Sequence, residues 1–211
     1  MGGIKIMKPE LYFDTEFTAP IKDTDLISIG ITTDDGRQFY AELTDYDITK
    51  APRDSREWLA NNVLNQLLLR KYQNNSCAVD KENNTTYVKG ETIYVRKKLW
   101  EWLDHYKHGI QLVSDCGQYD LVLLQCLLSD NPVSLSYDFI QLIDLNQILM
   151  DAYNIDGGAA ADLSRAELSG IEGSHNALSD AIQIKKIYNK LMKPINHTEK
   201  FYDRLKSELG Y

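Results

Sequence analysis

Two carboxylates lie two positions apart in the segment Tyr12-Phe13-Asp14-Thr15-Glu16-Phe17. The apolar residues around this segment predict a buried strand, and side chains at alternate positions of a strand leave the same face. Asp14 and Glu16 would therefore stand side by side in an apolar setting, where two unpaired anions are costly to desolvate. A bound divalent cation removes that cost, and oxygen ligands favour Mg²⁺ or Mn²⁺ over zinc. The alternative is an exposed strand end on which both acids are solvated.

The chain has 211 residues, of which 43% are hydrophobic and 26% are charged. This composition predicts one domain with a substantial core, spanning residues 8–211 and preceded by an extension of residues 1–7. A polar, Asn-rich segment at 73–90 predicts a surface insertion. The formal charge of −8 argues against tight nonspecific binding of long nucleic acid, which needs many Lys and Arg contacts to phosphate. That charge still allows an enzyme that holds only the last few nucleotides of a strand.

The three cysteines, Cys77, Cys116 and Cys126, are odd in number and lack the spacing of zinc ligands. We interpret them as reduced thiols of an intracellular protein. The most apolar run, at 121–128, is too short to span a bilayer, and the N-terminus lacks a signal-peptide hydrophobic region. The sequence therefore predicts a soluble, cytoplasmic protein.

Hydrophobic periodicity and turn residues predict alternating strands and helices after an opening antiparallel meander. The second and third strands of that meander would be joined by a hairpin turn at 34–37. Gly157-Gly158 is interpreted as a flexible connection. Strands are predicted at 10–13, 26–33, 37–43, 110–114 and 139–143, and helices at 54–70, 94–107, 118–129, 144–153, near 162–168, 176–192 and 199–209. This order predicts an α/β fold with a mixed five-stranded sheet and helices on both faces.

Two further acids fall on the apolar faces of predicted helices. Asp120 precedes leucines of its helix by three, four, seven and eight positions, and Asp180 shares a face with Ile184 and Leu191. Neither helix carries a Lys or Arg on that face, and acids are almost never buried without a partner. The alternative is that each acid lies in a first turn and complements the helix dipole. Together with Asp14 and Glu16, however, they predict a metal site.

His175 precedes Asp180 by five positions and lies just before the predicted helix. Five helical residues would rotate it away from the face that carries Asp180, so we expect it on the preceding loop, beside the same site. A single histidine is usually a surface or structural residue. Its pKa range and its position beside the proposed metal site favour the role of a general base.

Three segments in this order resemble the motifs of the DEDDh exonucleases, the superfamily that includes RNase T and the proofreading subunit of bacterial DNA polymerase. They are 13–17, Gln118-Tyr119-Asp120 and His175-Asn176-Ala177-Leu178-Ser179-Asp180. The resemblance covers about residues 10–192 and is strongest to small stand-alone bacterial and phage 3'-5' exoribonucleases. The chain departs from the family at 73–90 and at Asp115, which is an alternative to Asp120 as the acid of the middle motif.

The resemblance implies an RNase H-like fold and a nuclease with two divalent ions, Mg²⁺ or Mn²⁺, about 3.5 to 4 Å apart. Asp14 would bridge both ions, Glu16 and Asp180 would complete the first site, and Asp120 would hold the second. His175 would take the proton from the attacking water. Candidates for holding the terminal nucleotide are Thr15, Phe17 and His175.

The implied substrate is the 3' end of single-stranded RNA or a 3' overhang, and the products are nucleoside 5'-monophosphates. A homodimer is also expected. A 3'-5' exodeoxyribonuclease would use the same residues, since nothing in the sequence identifies a reader of the 2'-hydroxyl. An RNase H-like endonuclease and a non-catalytic nucleic-acid-binding module also compete with this interpretation. The spacing of His175 and Asp180 disfavours the endonuclease, and intact acids disfavour the non-catalytic module.

Overall fold

The computed structural model describes residues 8–106, 109–130, 140–172 and 175–192. Predictions for the extension at 1–7, for Phe139 and for a terminal helix at 199–209 lie outside these residues. The strands are β1 (Glu10–Phe17), β2 (Leu26–Thr33), β3 (Gln38–Leu43), β4 (Ser76–Asp80), β5 (Thr85–Gly90), β6 (Ile110–Ser114) and β7 (Ile140–Asp144). The helices are α1 (Arg56–Asn62), α2 (Thr92–Leu103), α3 (Gly117–Leu128), α4 (Leu145–Tyr153), α5 (Gly157–Asp162), α6 (Arg165–Ser169) and α7 (Ala177–Met192). None of these helices is long and apolar enough to cross a membrane.

The strands form one mixed sheet in the order β4-β5-β3-β2-β1-β6-β7. The opening meander is confirmed, because β1, β2 and β3 pair antiparallel. β6 pairs parallel with both β1 and β7, and β5 pairs parallel with β3. The sheet has seven strands rather than the predicted five, because the segment at 73–90 forms the hairpin β4–β5 at one edge. The Asn-rich composition of this segment does not predict strands, because strand formation there depends on pairing with β3.

Two helical predictions differ from the structure. The helix predicted at 54–70 ends at Asn62 and is followed by a 3₁₀ turn at Leu64–Gln66. Beyond it, the backbone N–H of Leu69 donates to the Glu42 carboxylate at 2.8 Å instead of continuing a helical ladder. Gly157-Gly158 is not a flexible connection but opens α5, because the Asp156 side chain accepts from the N–H of Ala159 at 2.8 Å and caps the helix.

The helices cover both faces of the sheet, as predicted. Alternate residues of β1 point to opposite sides: Leu11 and Phe13 belong to a core shared with α2 and α3, whereas Tyr12 belongs to a core shared with α4 and α7. Asp14 and Glu16 follow the register of Tyr12. They therefore project toward α7.

Gly30 of β2 determines how closely α7 approaches the sheet. It pairs directly with Asp14 across the β1–β2 ladder. A Cβ atom at position 30 would overlap the backbone of Ala177 and Leu178, the first residues of α7. Only a glycine therefore allows the first turn of α7 to lie against the sheet beside Asp14.

Candidate active site

The first acidic group contains Asp14, Glu16 and Asp180. Asp14 and Glu16 come from the carboxyl end of β1, and Asp180 comes from the first turn of α7. One carboxylate oxygen from each lies within 4.8 Å of the others. The backbone contact at Gly30 accounts for this proximity, because it lets the start of α7 reach the strand.

A second acidic group contains Asp14, Asp115 and Asp120, whose carboxylate oxygens also lie within 4.8 Å of one another. Asp115 directly follows β6, and Asp120 lies in the first turn of α3. Asp120 is only 1% exposed, and both of its carboxylate oxygens accept hydrogen bonds from hydroxyl groups. Thr15 Oγ1 donates to Oδ1 at 2.5 Å, and Ser114 Oγ donates to Oδ2. The two groups therefore share Asp14.

The electrostatics of the four predicted acids show mutual repulsion in a desolvated setting. Burial raises the pKa of Asp14 well above its ordinary value, and neighbouring acids, Asp120 first, raise it further. Burial raises the pKa of Glu16 to about 8 and the pKa of Asp180 to about 7, with added repulsion from other acids. Burial also raises the pKa of Asp120 to about 7, although the hydroxyl donors oppose the shift. None of the ion pairs among the described residues involves these four acids.

Asp115 differs from the other acids because it has a cationic partner. Arg165 Nε donates to Asp115 Oδ2 at 2.9 Å, and both side chains are about one-fifth exposed. Arg165 Nη2 also donates to Asn146 Oδ1 at 2.5 Å, and Asn146 Nδ2 donates to the Asp115 carbonyl. These three residues form a closed hydrogen-bonded ring that joins the end of β6 to α4 and α6.

His175 lies just before α7, where the sequence predicted it. Its backbone has φ 60°, a left-handed conformation that is uncommon outside glycine. The backbone of His175 and that of Asn176 favour the charged Asp180 carboxylate and oppose the rise of its pKa. Burial lowers the pKa of the imidazole below its ordinary value. The ring makes an edge contact with Trp58, with centroids 4.9 Å apart.

His175 and four of the acids, Asp14, Glu16, Asp115 and Asp180, line a common cavity of about 1050 Å³. Arg165 lines the same cavity, whereas Asp120, which is 1% exposed, is not among its lining residues. The cavity also has apolar lining residues: Ala19, Pro20, Ile21, Pro52, Trp58, Leu59 and Val63. Phe17 also reaches the cavity, and its ring stacks on Tyr119 with centroids 5.5 Å apart.

The two acidic groups fit divalent cations. Their donors are carboxylate oxygens, which Mg²⁺ and Mn²⁺ prefer, and cations would relieve the repulsion that raises the four carboxyl pKa values. The structure brings together every predicted carboxylate and places His175, Thr15 and Phe17 on the same cavity. The hydroxyl of Thr15 is already bonded to Asp120. The catalytic, metal-binding and nucleotide-binding roles of these residues stay predictions.

Two neighbours of the site were not predicted. Arg165 is fifty positions from its partner Asp115, and no local pattern links them. Trp58 lies on α1 and its side chain is 52% exposed at the cavity, and no sequence pattern marked it as a neighbour of the acids. From the sequence, Asp115 is predicted only as an alternative to Asp120 for the acid of the middle motif. Its place directly after a strand is a signal that favours a site residue, since ligands bind at the carboxyl ends of strands in such sheets.

No family model matches the chain. Two curated proteins of Mycobacterium tuberculosis, from strains CDC 1551 / Oshkosh and ATCC 25618 / H37Rv, are 31% identical to it over 103 residues. Each is named a 3'-5' exoribonuclease. The alignment covers 46% of this chain and 55% of each relative, so the chain spans about half the length of the curated relatives it matches.

Two solved structures share the fold over most of both chains. The nuclease domain of 3'hExo, described as a DEDDh family member bound to rAMP, has a TM-score of 0.59 at 14% identity. The superposition covers 90% of this chain and 94% of that one. A full-length 3'-exonuclease has a TM-score of 0.55 at 13% identity, covering 89% of this chain and 82% of that one. The predicted fold is thus confirmed: this chain shares the fold of these two 3' exonucleases.

Proposed function

We propose that this protein is a metal-dependent 3'-5' exoribonuclease. It would hydrolyse the 3'-terminal phosphodiester bond of single-stranded RNA or of a 3' overhang and release a nucleoside 5'-monophosphate. The observation that carries the proposal is the pair of acidic groups that share Asp14, with His175 on the same cavity. A structural role does not account for four clustered acids whose pKa values are raised by burial and by neighbouring acids.

The bound metal would supply charge. Two divalent ions would polarise the scissile phosphate and make a water molecule more acidic. Asp14, Glu16 and Asp180 would hold the first ion, and Asp14 and Asp120 would hold the second. Thr15 and Ser114 would orient Asp120 through their hydroxyl donors, the role that outer hydrogen bonds have at metal ligands.

His175 would act as the general base. Because burial lowers its pKa, the ring is neutral near pH 7 and can accept a proton at a ring nitrogen. The water oxygen would attack the terminal phosphorus, and the bond from phosphorus to the 3' oxygen of the preceding nucleotide would break. The terminal nucleotide would leave as a 5'-monophosphate, and the 3' oxygen of the shortened strand would take up a proton from solvent to give a 3'-hydroxyl.

The terminal nucleotide would lie in the cavity, beside Asp14 and Glu16. Phe17 would offer the ring face that is not stacked on Tyr119, and Thr15 would contribute a backbone contact. RNA is favoured over DNA as the substrate because both curated relatives are named exoribonucleases. Cytoplasmic location and a homodimer stay sequence-based predictions, and sedimentation of the purified protein tests the homodimer.

The decisive experiment incubates the purified protein and its Asp14→Asn variant with single-stranded RNA and with DNA of the same sequence. Each strand carries a label at either the 5' or the 3' end. With Mg²⁺ or Mn²⁺, we expect 3'-labelled RNA to release labelled mononucleotide first and 5'-labelled RNA to give a descending ladder. EDTA should stop both reactions.

Other results would contradict the proposal in different ways. Labelled oligonucleotides, rather than mononucleotide, released first from 3'-labelled RNA would indicate an endonuclease. Faster loss of DNA than of RNA would indicate an exodeoxyribonuclease. Binding of RNA without cleavage, in wild-type protein and Asp14→Asn alike, would indicate a non-catalytic nucleic-acid-binding module.

A further inference from the structure

Trp58 occupies an unusual place for a large aromatic residue. It lies on α1 and is 52% exposed at the cavity. The next residue, Leu59, is buried with Val63 and Ile27, so α1 is fixed against β2 by its other face. The indole contributes little to that core. Contact of this apolar ring with water is unfavourable. The exposed position of Trp58 therefore suggests a role other than stability.

The backbone of His175 is held independently of Trp58. The carbonyl of the residue after it, Asn176, accepts from the N–H of Asp180 at 2.9 Å. The Asn176 side chain donates from Nδ2 to the carbonyl of Gln66 at 2.9 Å and accepts from the N–H of Ser179 at 3.2 Å. These bonds fix where the main chain lies. They do not fix the direction of the imidazole.

Trp58 makes the contact that bears on the imidazole itself. The two rings meet edge to face, with an interplanar angle of 79° and centroids 4.9 Å apart. Edge-to-face contact is a favoured geometry for aromatic rings. We propose that Trp58 is a positioning residue, whose indole holds the His175 ring at the cavity where it meets the attacking water. This inference rests on the proposed function, in which His175 is the base.

A double-mutant cycle tests this role, with kcat and KM measured on 3'-labelled RNA. His175→Ala should lower kcat about 10²- to 10⁴-fold, the usual loss for a general base. Trp58→Ala should lower kcat about 10- to 100-fold through misplacement of the ring, with KM nearly unchanged. In the His175→Ala background, Trp58→Ala should lower kcat no further, because a residue that acts through another shows complete coupling.

Two further variants complete the design. Trp58→Phe keeps an aromatic ring beside His175 and should therefore retain most of the wild-type kcat. Trp100→Ala is the matched control, because Trp100 is a partly exposed tryptophan of α2 whose indole donates to the Leu128 carbonyl. Its removal should leave kcat unchanged. Thermal melts should show that Trp58→Ala folds, as expected for an exposed side chain.

A second readout does not depend on activity. The carbon-bound imidazole protons of His175, assigned by comparison with His175→Ala, should shift in the NMR spectrum when the Trp58 ring current is removed, and less so in Trp58→Phe.

Three results would overturn the inference: unchanged imidazole shifts in Trp58→Ala, an equal loss of kcat in the His175→Ala background, or a change in KM alone. The last would indicate that Trp58 contacts the nucleotide instead. An inactive wild-type protein would overturn the proposed function, and the NMR shifts would then still decide whether the Trp58 and His175 rings are in contact.

Discussion

Strand β1 carries carboxylates at both ends, and the two ends differ in the groups that surround these carboxylates. At the start, Glu10 accepts from the hydroxyl of Tyr12 at 2.8 Å and from that of Tyr188 at 2.9 Å. At the other end, the neighbours of Asp14 and Glu16 are other acids. The same side-chain chemistry on one strand therefore gives a hydrogen-bonded structural acid at one end and a set of mutually repelling acids at the other.

Glu42 extends the comparison to a buried position. It is only 2% exposed, yet it accepts from Tyr40 Oη at 2.9 Å and from the N–H of Leu69 at 2.8 Å. Burial alone therefore does not identify a functional carboxylate. What distinguishes the acids at the end of β1 is that their neighbours repel them, and this is the condition that a cation relieves.

The largest expected effect comes from exchanging an acid at each end of β1. Asp14→Asn should lower the rate by more than about 10³-fold, because metal ions supply several kcal/mol of transition-state stabilisation. Stability without metal should be unchanged or higher, since one repelling charge is removed. Glu10→Gln is the control: it should keep activity and lower the free energy of unfolding by about 1 kcal/mol. Near-normal turnover by Asp14→Asn would contradict the two-metal proposal.

The next effect separates Asp120 from Asp115. We expect Asp120→Asn to lower activity about 100-fold or more and to weaken one Mn²⁺ binding event in calorimetry, because Thr15 and Ser114 orient that carboxylate. Asp115→Asn should cost less, since Asp115 is already paired with Arg165. A greater loss in the Asp115 variant would reverse the assignment of the second site.

A smaller effect appears as a pH dependence of stability in EDTA. The folded pKa of Glu16 is about 8 and that of Asp180 is about 7, both above the ordinary values that apply to the unfolded chain. At pH values between the unfolded and the folded pKa, the folded state therefore binds more protons than the unfolded state. The stability that this proton binding contributes is lost as the pH rises through 7 and 8. The melting temperature should be lower at pH 8.5 than at pH 5.5.

Asp180→Asn should narrow the difference in melting temperature between pH 5.5 and pH 8.5 by at least about 2 to 4 °C, which corresponds to about 1 kcal/mol. Saturating Mn²⁺ should raise the melting temperature of the wild type most at the alkaline pH. A melting temperature that rises from pH 5.5 to pH 8.5 in EDTA would show that the acids do not repel one another in the folded protein.

The smallest expected effect concerns Glu42. Glu42→Gln keeps the side-chain shape but weakens two hydrogen bonds of a buried acceptor, so the free energy of unfolding should fall by about 1 to 2 kcal/mol in urea denaturation. Mn²⁺ affinity should equal that of the wild type. If this variant instead weakened Mn²⁺ binding, the distinction between satisfied and repelling carboxylates would not hold.

The sequence predicted the acids because periodicity is a local property. Alternation along β1 places Asp14 and Glu16 on one face, and helical phase turns Asp120 and Asp180 inward. These patterns require only the spacing of residues within one element. The three β strands of the meander followed from the same kind of signal.

What the sequence did not predict depends on contacts between distant segments. The ring formed by Asp115, Asn146 and Arg165 joins three elements that are far apart in the chain. The hairpin β4–β5 is polar and is recruited by β3, and the end of α1 is set in part by a bond from Leu69 to Glu42. Neither has a periodic signature of its own, because tertiary pairing overrides local preference there.

Gly30 has a consequence for how this protein tolerates mutation. It bears no functional group and would touch no substrate, yet any side chain at this position would lift α7 from β2 and draw Asp180 away from Asp14. In a saturation mutagenesis survey scored by RNA decay, position 30 should therefore be as intolerant as the acids themselves. Such a survey would rank as catalytic a residue whose whole contribution is the absence of a methyl group.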